Sequence, residues 1–106
     1  MNDNNAILMQ AAAWRREGHD VALAVVTETW GSSPRPVGSR LAVDSAGRFV
    51  GSVSGGCVEA VVIEVADEII RTGKPRVLEF GVSDENAWSV GLACGGTVRI
   101  FIERLD

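Results

Sequence analysis

Residues 48–80 read RFVGSVSGGCVEAVVIEVADEIIRTGKPRVLEF, and this stretch decides the fold. It opens on a short β-rich run, Arg48 to Val53, and breaks at Ser54-Gly55-Gly56. A helical pattern follows. Val58, Val61, Val62, Val65, Ala66 and Ile69 recur at helical spacing, while Glu59, Glu64, Asp67, Glu68 and Arg71 fill the other side. The spacing predicts a helix from Cys57 to Thr72. Gly73-Lys74-Pro75 stops it, glycine supplying the left-handed position and proline barring continuation. Arg76 to Phe80 then reads as a strand. A strand, a helix and a strand in succession make an α/β crossover, for which the right-handed connection is the rule.

The neighbouring segments supply the rest of one layer. Upstream, Arg40 to Val43 forms a second short strand, joined to the Arg48 strand by the tight turn Asp44-Ser45-Ala46-Gly47. Val21 to Thr29 is nearly continuous in apolar residues, the mark of a central strand covered on both faces. A first helix, capped by Asn4 or Asn5, runs to about Arg16 with a partial face of Ile7, Leu8, Ala11, Ala12 and Trp14, and Gly18 ends it. Downstream, Thr97 to Glu103 alternates, with Val98, Ile100 and Ile102 on one face. Two long loops remain: Trp30 to Gly38, rich in Pro and Gly, and Ser83 to Gly96, with a helical turn around Glu85 to Trp88. The expectation is a single small α/β domain over residues 1–106, a mixed sheet of about five strands with two main helices. In it the three glycine-rich loops gather at one edge of the sheet.

Composition narrows the function classes. The chain has 106 residues, 46% apolar, and a formal net charge of -4. That is enough apolar content for a packed core. The ten Lys and Arg residues are scattered, without the basic stripe a nucleic-acid interface needs. No apolar stretch reaches the ~20 residues of a membrane span. Met1-Asn2-Asp3-Asn4-Asn5 lacks the basic and apolar blocks of a signal peptide, so a cytoplasmic location is expected. Thiols stay reduced there, which disfavours a disulfide between Cys57 and Cys94. One histidine and two cysteines, with no CxxC pair, make a poor zinc set. His19, in Glu17-Gly18-His19-Asp20, reads as a solvated turn residue.

The two cysteines carry the chemical interest. They are the only thiols, and each adjoins a glycine pair: Ser54-Gly55-Gly56-Cys57 and Ala93-Cys94-Gly95-Gly96. Glycine allows close backbone approach to a ligand. At an expected helix start, Cys57 would face unpaired N–H groups and the positive end of the macrodipole, which favour a thiolate and lower its pKa. The bland alternative is a small residue filling space under a turn. Glu59, at the third helical position, serves equally well as a cap or as a catalytic group. Gly31-Ser32-Ser33-Pro34-Arg35-Pro36 sets hydroxyls beside an arginine braced by prolines, an arrangement suited to a phosphate or carboxylate. Ser54-Gly55-Gly56 also suits an oxyanion, although neither GxxxxGK[ST] nor GxGxxG is present. Trp30 and Trp88 are stacking candidates and equally core candidates.

Taken together, Gly31-Ser32-Ser33-Pro34-Arg35-Pro36, Gly51-Ser52-Val53-Ser54-Gly55-Gly56-Cys57-Val58-Glu59 and Gly91-Leu92-Ala93-Cys94-Gly95-Gly96 strongly resemble the XdhC/CoxI family. Phe80-Gly81-Val82-Ser83-Asp84-Glu85 is similar too, and the resemblance runs from Val21 to Leu105. It implies an accessory protein for a molybdenum hydroxylase of the xanthine dehydrogenase or carbon monoxide dehydrogenase type, a cofactor-insertion factor rather than an enzyme. The implied cargo is molybdenum cofactor (molybdopterin), bound transiently and handed to an apo-molybdoenzyme in sulfurated form. The residues implied in binding are Ser32, Ser33, Arg35, Ser54, Gly55, Gly56, Cys57, Glu59, Cys94, Gly95 and Gly96. Cys57 and Cys94 are the implied molybdenum contacts, since thiolates suit soft centres. Larger members carry a second, Rossmann-like domain that this sequence does not show, which implies a Rossmann-bearing partner. Two other readings stay open. One is a thiol-based sulfur-transfer or redox enzyme using Cys57 and Cys94. The other is an assembly subunit that works only with its partner. Apolar content and unpaired sheet edges also lead to the expectation of a homodimer.

Overall fold

The computed structural model describes residues 3–30, 35–54, 58–81 and 97–105. Two helices and five strands follow in the order α1 (Asp3–Arg16), β1 (Val21–Trp30), β2 (Arg40–Asp44), β3 (Phe49–Gly51), α2 (Glu59–Thr72), β4 (Arg76–Gly81) and β5 (Thr97–Leu105). The strands form one sheet in the order β3-β2-β1-β5-β4. The expected small α/β domain is present. Its sheet, however, is antiparallel at every pairing among the described residues rather than mixed. Since neighbours alternate in direction, β3 and β4 run the same way but occupy opposite edges. Helix α2 therefore links strands separated by the full width of the sheet, not adjacent parallel strands.

Each helix covers one face. Along β1 the residues alternate between two cores, as a period-two strand requires. Ala22, Ala24 and Val26 join Leu41, Val43, Val98, Ile100 and Ile102 beneath Val62, Ala66, Ile69 and Ile70 of α2. Val21 and Leu23 join Ala42 beneath Ile7, Ala11 and Trp14 of α1. This two-sided burial accounts for the continuous apolar run in β1. The α2 face holds the larger of the two buried clusters. Ile69, Ile100 and Ile102 are fully buried, and each contributes about 1.5–3 kcal/mol relative to exposure. Leu8 and Ala12, expected on the α1 face, point outward instead.

Terminal details follow from local chemistry. Gly73 takes the left-handed position (φ 75°) and its N–H donates to the Ile69 carbonyl at 2.7 Å. The Arg104 guanidinium donates to the Ile70 carbonyl at 3.2 Å, placing a cation at the negative end of α2. In the β2–β3 hairpin, buried Asp44 accepts from the Ala46 N–H (3.0 Å), the Arg48 N–H (2.8 Å) and the Arg48 side chain (2.6 Å). Burial works against its ionisation, but the bonds and charge from Arg48 outweigh it and hold the carboxyl below its usual range. The same guanidinium lies 5.2 Å from the centre of the Trp14 ring and ties the hairpin to α1. His19 is half-buried in the turn after α1, its Nε2 4.0 Å from Glu17.

β1 and β5 pair from Val21↔Leu105 to Trp30↔Thr97, with an irregularity between Val26 and Glu28. Thr27, the extra residue, donates its hydroxyl to the Arg99 carbonyl at 3.2 Å. Among the described residues no helix is long and apolar enough to cross a membrane.

Candidate functional site

The sheet topology turns the strands that flank the glycine-rich motifs toward one end of the sheet. β1, β3 and β4 point the same way, so Trp30, Gly51 and Gly81 all leave the sheet at that end. Trp30 pairs with Thr97, and Thr97 with Gly81, so the flanks of segments 31–34 and 82–96 stand in one row. Gly51 pairs with Leu41, next to the Arg40↔Val25 pair, five residues further back along β1. The chain leaves β3 there toward Ser54 and re-enters at Val58.

Ser54 and Glu59 close the two ends of that connection. The Glu59 carboxylate accepts from the Ser52 hydroxyl (2.6 Å), the Val53 N–H (2.9 Å), the Ser54 N–H (3.0 Å) and the Ser54 hydroxyl (2.5 Å). The Ser54 oxygen in turn accepts the Val58 N–H at 2.9 Å, satisfying a backbone donor ahead of α2. Burial alone would raise the Glu59 pKa. The serine hydroxyls and the two backbone N–H groups reverse this and hold it at about 2, against an ordinary 4.5. A group so acidic is ionised throughout the neutral range and is a poor general acid or base. Its role is a clamp.

Two expectations about this helix change. The helix begins at Glu59 with Val58 as its N-cap, not at Cys57, and Glu59 is its first residue rather than its third. The Glu59 carboxylate accordingly reaches back to N–H groups of Val53 and Ser54 instead of capping its own helix. Cys57 lies two residues ahead of the first helical position, and it falls outside the described residues. So do Ser32, Ser33, Gly55, Gly56, Cys94, Gly95 and Gly96, together with Asp84, Glu85 and Trp88 and the helical turn expected around them.

Arg35 is placed beside the clamp. The following turn is fastened to β1: the Gly38 N–H donates to the Val26 carbonyl (2.8 Å), and the Val26 N–H to the Ser39 carbonyl (2.9 Å). Arg35 lines a cleft of about 300 Å³ together with Ala6, Ile7, Val50, Gly51 and Ser52. Gly51 makes the corner possible. Its φ is +98°, and a Cβ there would sit 2.3 Å from the Arg40 carbonyl oxygen and 2.7 Å from Ile7 Cδ1. The cleft joins an apolar wall to a guanidinium, a common form for small-ligand sites. Gly51 and Ser52 were visible as motif residues, but the contribution of Ala6 and Ile7 was not. It depends on α1 docking against β3, and only the apolar spacing of α1 hinted at a buried face. Among the described residues no group of three or more His, Cys, Asp or Glu is placed to hold a metal.

Comparison with known proteins bears on the same elements. The sequence pattern of the XdhC and CoxI family matches residues 14–81, from the end of α1 through β4. The chain belongs to the XdhC and CoxI family. Among relatives of this XdhC/CoxI domain, the molybdenum cofactor insertion chaperone PaoD of Escherichia coli is 32% identical over 98% of the chain and 32% of its own length. A Bacillus subtilis protein named as a probable xanthine dehydrogenase subunit is 29% identical over 81% of the chain and 27% of its own length. A crystal structure described as a xanthine dehydrogenase from Bacillus halodurans superposes with a TM-score of 0.77 at 27% identity. That superposition covers all of this chain and 31% of the other. The XdhC/CoxI domain thus spans about a third of the length of these relatives.

Proposed function

We propose that the chain is an accessory factor in the maturation of a molybdenum hydroxylase of the xanthine dehydrogenase or carbon monoxide dehydrogenase type. It carries molybdenum cofactor transiently as cargo and passes it to the apo-enzyme, without turnover of its own, in the cytoplasm. The carrying observation is that β1, β3 and β4 run the same way, so that the flanks of all three motifs leave the sheet in one direction, with Arg35 lining a cleft beside Gly51 and Ser52. The name of the PaoD relative supports the cargo, and the xanthine dehydrogenase relatives support the client class.

The described residues fit such a cargo. Arg35 supplies a planar fork of donors for an oxygen of the cofactor. The Glu59 clamp fixes the Ser52–Ser54 arm at the entrance of the Gly55-Gly56-Cys57 connection. In this reading Cys57 and Cys94 contact molybdenum or its sulfur ligand, and Ser32, Ser33, Gly95 and Gly96 complete the lining. The cofactor when bound supplies the metal chemistry; the chain binds, orients and shields.

The PaoD relative and the Bacillus halodurans protein are about three times as long; in our reading a Rossmann-bearing segment, on this or another chain, completes the carrier. The two outer strands offer association surfaces as well: Phe49 on β3 is 54% exposed and Val77 on β4 is 58% exposed. A homodimer through one of these edges is our reading. The test is purification from cells that make molybdopterin, followed by mass spectrometry and pterin fluorescence. Co-purified pterin lost on Cys57→Ser or Cys94→Ser is the expected result. Absence of pterin, or retention in both variants, overturns the assignment of the thiols.

A further inference from the structure

Helix α1 covers part of its face of the sheet. It packs against β1, β2 and β3, and Leu105 at the end of β5 joins its cluster. The rest of β5 and β4 on that face lies beyond α1. Val98, Ile100, Ile102 and Phe80 lie under α2, so strand alternation puts Arg99, Phe101, Val77 and Glu79 on the α1 side. Val77 is 58% exposed, Glu79 is exposed, and Arg99 and Phe101 are half-buried. Two rows cross this half-face. The first is apolar: Val25 pairs with Phe101, and Phe101 with Val77. The second is charged: Glu28 pairs with Arg99, and Arg99 with Glu79. The irregularity between Val26 and Glu28 turns Glu28 to this face. Arg99 donates to both carboxylates, to that of Glu79 at 2.9 Å, so the row runs negative, positive, negative from β1 to β4. This alternation makes the half-face complementary to itself. A two-fold axis parallel to the strands, midway between β5 and β4, lays β5 of one copy over β4 of the other with the rows in register. Phe101 then meets Val77 of the second copy, and Arg99 meets its Glu79. Like charges are not opposed: Glu28 falls outside the overlap, and Glu103 lies over the chain ahead of Arg76. Sheets packed this way stand about 10 Å apart, and each α1, set over β1 to β3, clears the other sheet. A two-fold axis across the strands drives α1 into the second sheet instead.

We propose that the chain pairs with a second copy of itself, sheet on sheet, through the β5–β4 half-face, Phe101 against Val77 and the Arg99 position against Glu79. The proposal rests on the homodimer reading above and names its surface. Arg99 keeps both of its carboxylates within the chain. Recognition is between rows of alternating sign and does not draw on a spare donor. The apolar row supplies contact, and the charged row fixes the register and rejects shifted pairings. Covering Val77 also shields the face of an edge strand.

The experiment is sedimentation equilibrium of the full chain over a dilution series, with two charge-reversed variants measured separately and mixed. Arg99→Glu alone opposes carboxylate to carboxylate twice in the dimer, and Glu79→Arg alone opposes guanidinium to guanidinium twice. Each should weaken self-association at least about tenfold. In an equimolar mixture the glutamates of one variant face the arginines of the other at both places. Association should then return to within about threefold of the unsubstituted chain, in mixed pairs identified by a tag on one variant. The mixture leaves each variant's own fold unchanged, so recovery reads the contact between copies. Val77→Asp, at an exposed position, should also weaken pairing at least about tenfold with a normal circular dichroism spectrum. A dimer that persists in Val77→Asp and in both charge variants alone, or a mixture that does not recover, overturns this surface while the homodimer reading stands on the β3 edge. A monomer at every concentration of the unsubstituted chain overturns both.

Discussion

Replacing Glu59 with glutamine removes the charge that accepts hydrogen bonds from Ser52, Val53 and Ser54 while preserving size. The amide oxygen can keep the Val53 and Ser54 N–H groups and the Ser52 hydroxyl. The amide nitrogen then faces the Ser54 hydroxyl, which already accepts from Val58 and would have to give up its role as donor. The pKa displacement, from 4.5 to about 2, sets an upper limit of about 3.4 kcal/mol on what the charge contributes. The carboxylate is only partly buried, so solvent screening reduces this to about 2 kcal/mol. The folded pKa is depressed, so the contribution is complete above about pH 5 and is lost as the pH falls from 4.5 toward 2. Glu59→Gln should therefore lower the urea midpoint at pH 7, with a Tm loss on the order of 10 °C for a domain this size. The gap between the two proteins should narrow steadily below about pH 4.5. A variant within about 0.5 kcal/mol of the unsubstituted chain at pH 7, or a gap independent of pH, refutes the clamp.

Other outcomes follow from the same geometry. Gly51→Ala should cost about 3 kcal/mol or more, because its Cβ meets the Arg40 carbonyl and Ile7; Gly38→Ala, with similar φ and open space, should cost only about 1–2 kcal/mol in parallel urea titrations. Asp44→Asn should destabilise by about 1–3 kcal/mol at pH 7 and progressively less as pH falls below the ordinary carboxylate range, since the Asp44 pKa is depressed. Ile69→Ala, fully buried under α2, should cost about 2–5 kcal/mol in the same assay with the denaturant slope unchanged.

The elements that were legible in sequence are those whose pattern is local. The α2 periodicity, the Gly73 stop and the Val98-Ile100-Ile102 alternation all reappear as buried faces. The two-sided cover of β1 was equally plain from its continuous apolar run. What escaped is set by contacts distant in sequence. Antiparallel pairing throughout depends on β5 entering between β1 and β4, which no local pattern specifies. The start of α2 moved from Cys57 to Glu59 because the Ser54 hydroxyl takes the Val58 N–H and the Glu59 carboxylate turns back to residues 52–54. Of the candidate site residues, Ser54, Glu59 and Arg35 are described. The first two meet in the clamp, and Arg35 lines the cleft that borders Ser52. The cleft itself arises where α1 packs against β3, a tertiary event at which only the apolar spacing of α1 hinted.

The central claim is that the chain carries molybdenum cofactor to a client, and reconstitution measures this most directly. Apo-xanthine dehydrogenase is mixed with released cofactor, with and without a stoichiometric amount of the full chain, and recovered hydroxylase activity is followed over time alongside molybdenum content. The account predicts faster or more complete recovery with the chain, in proportion to its amount up to saturation, and a loss of that gain with Cys57→Ser. Identical recovery with and without the chain, even when a Rossmann-bearing partner is supplied, contradicts it.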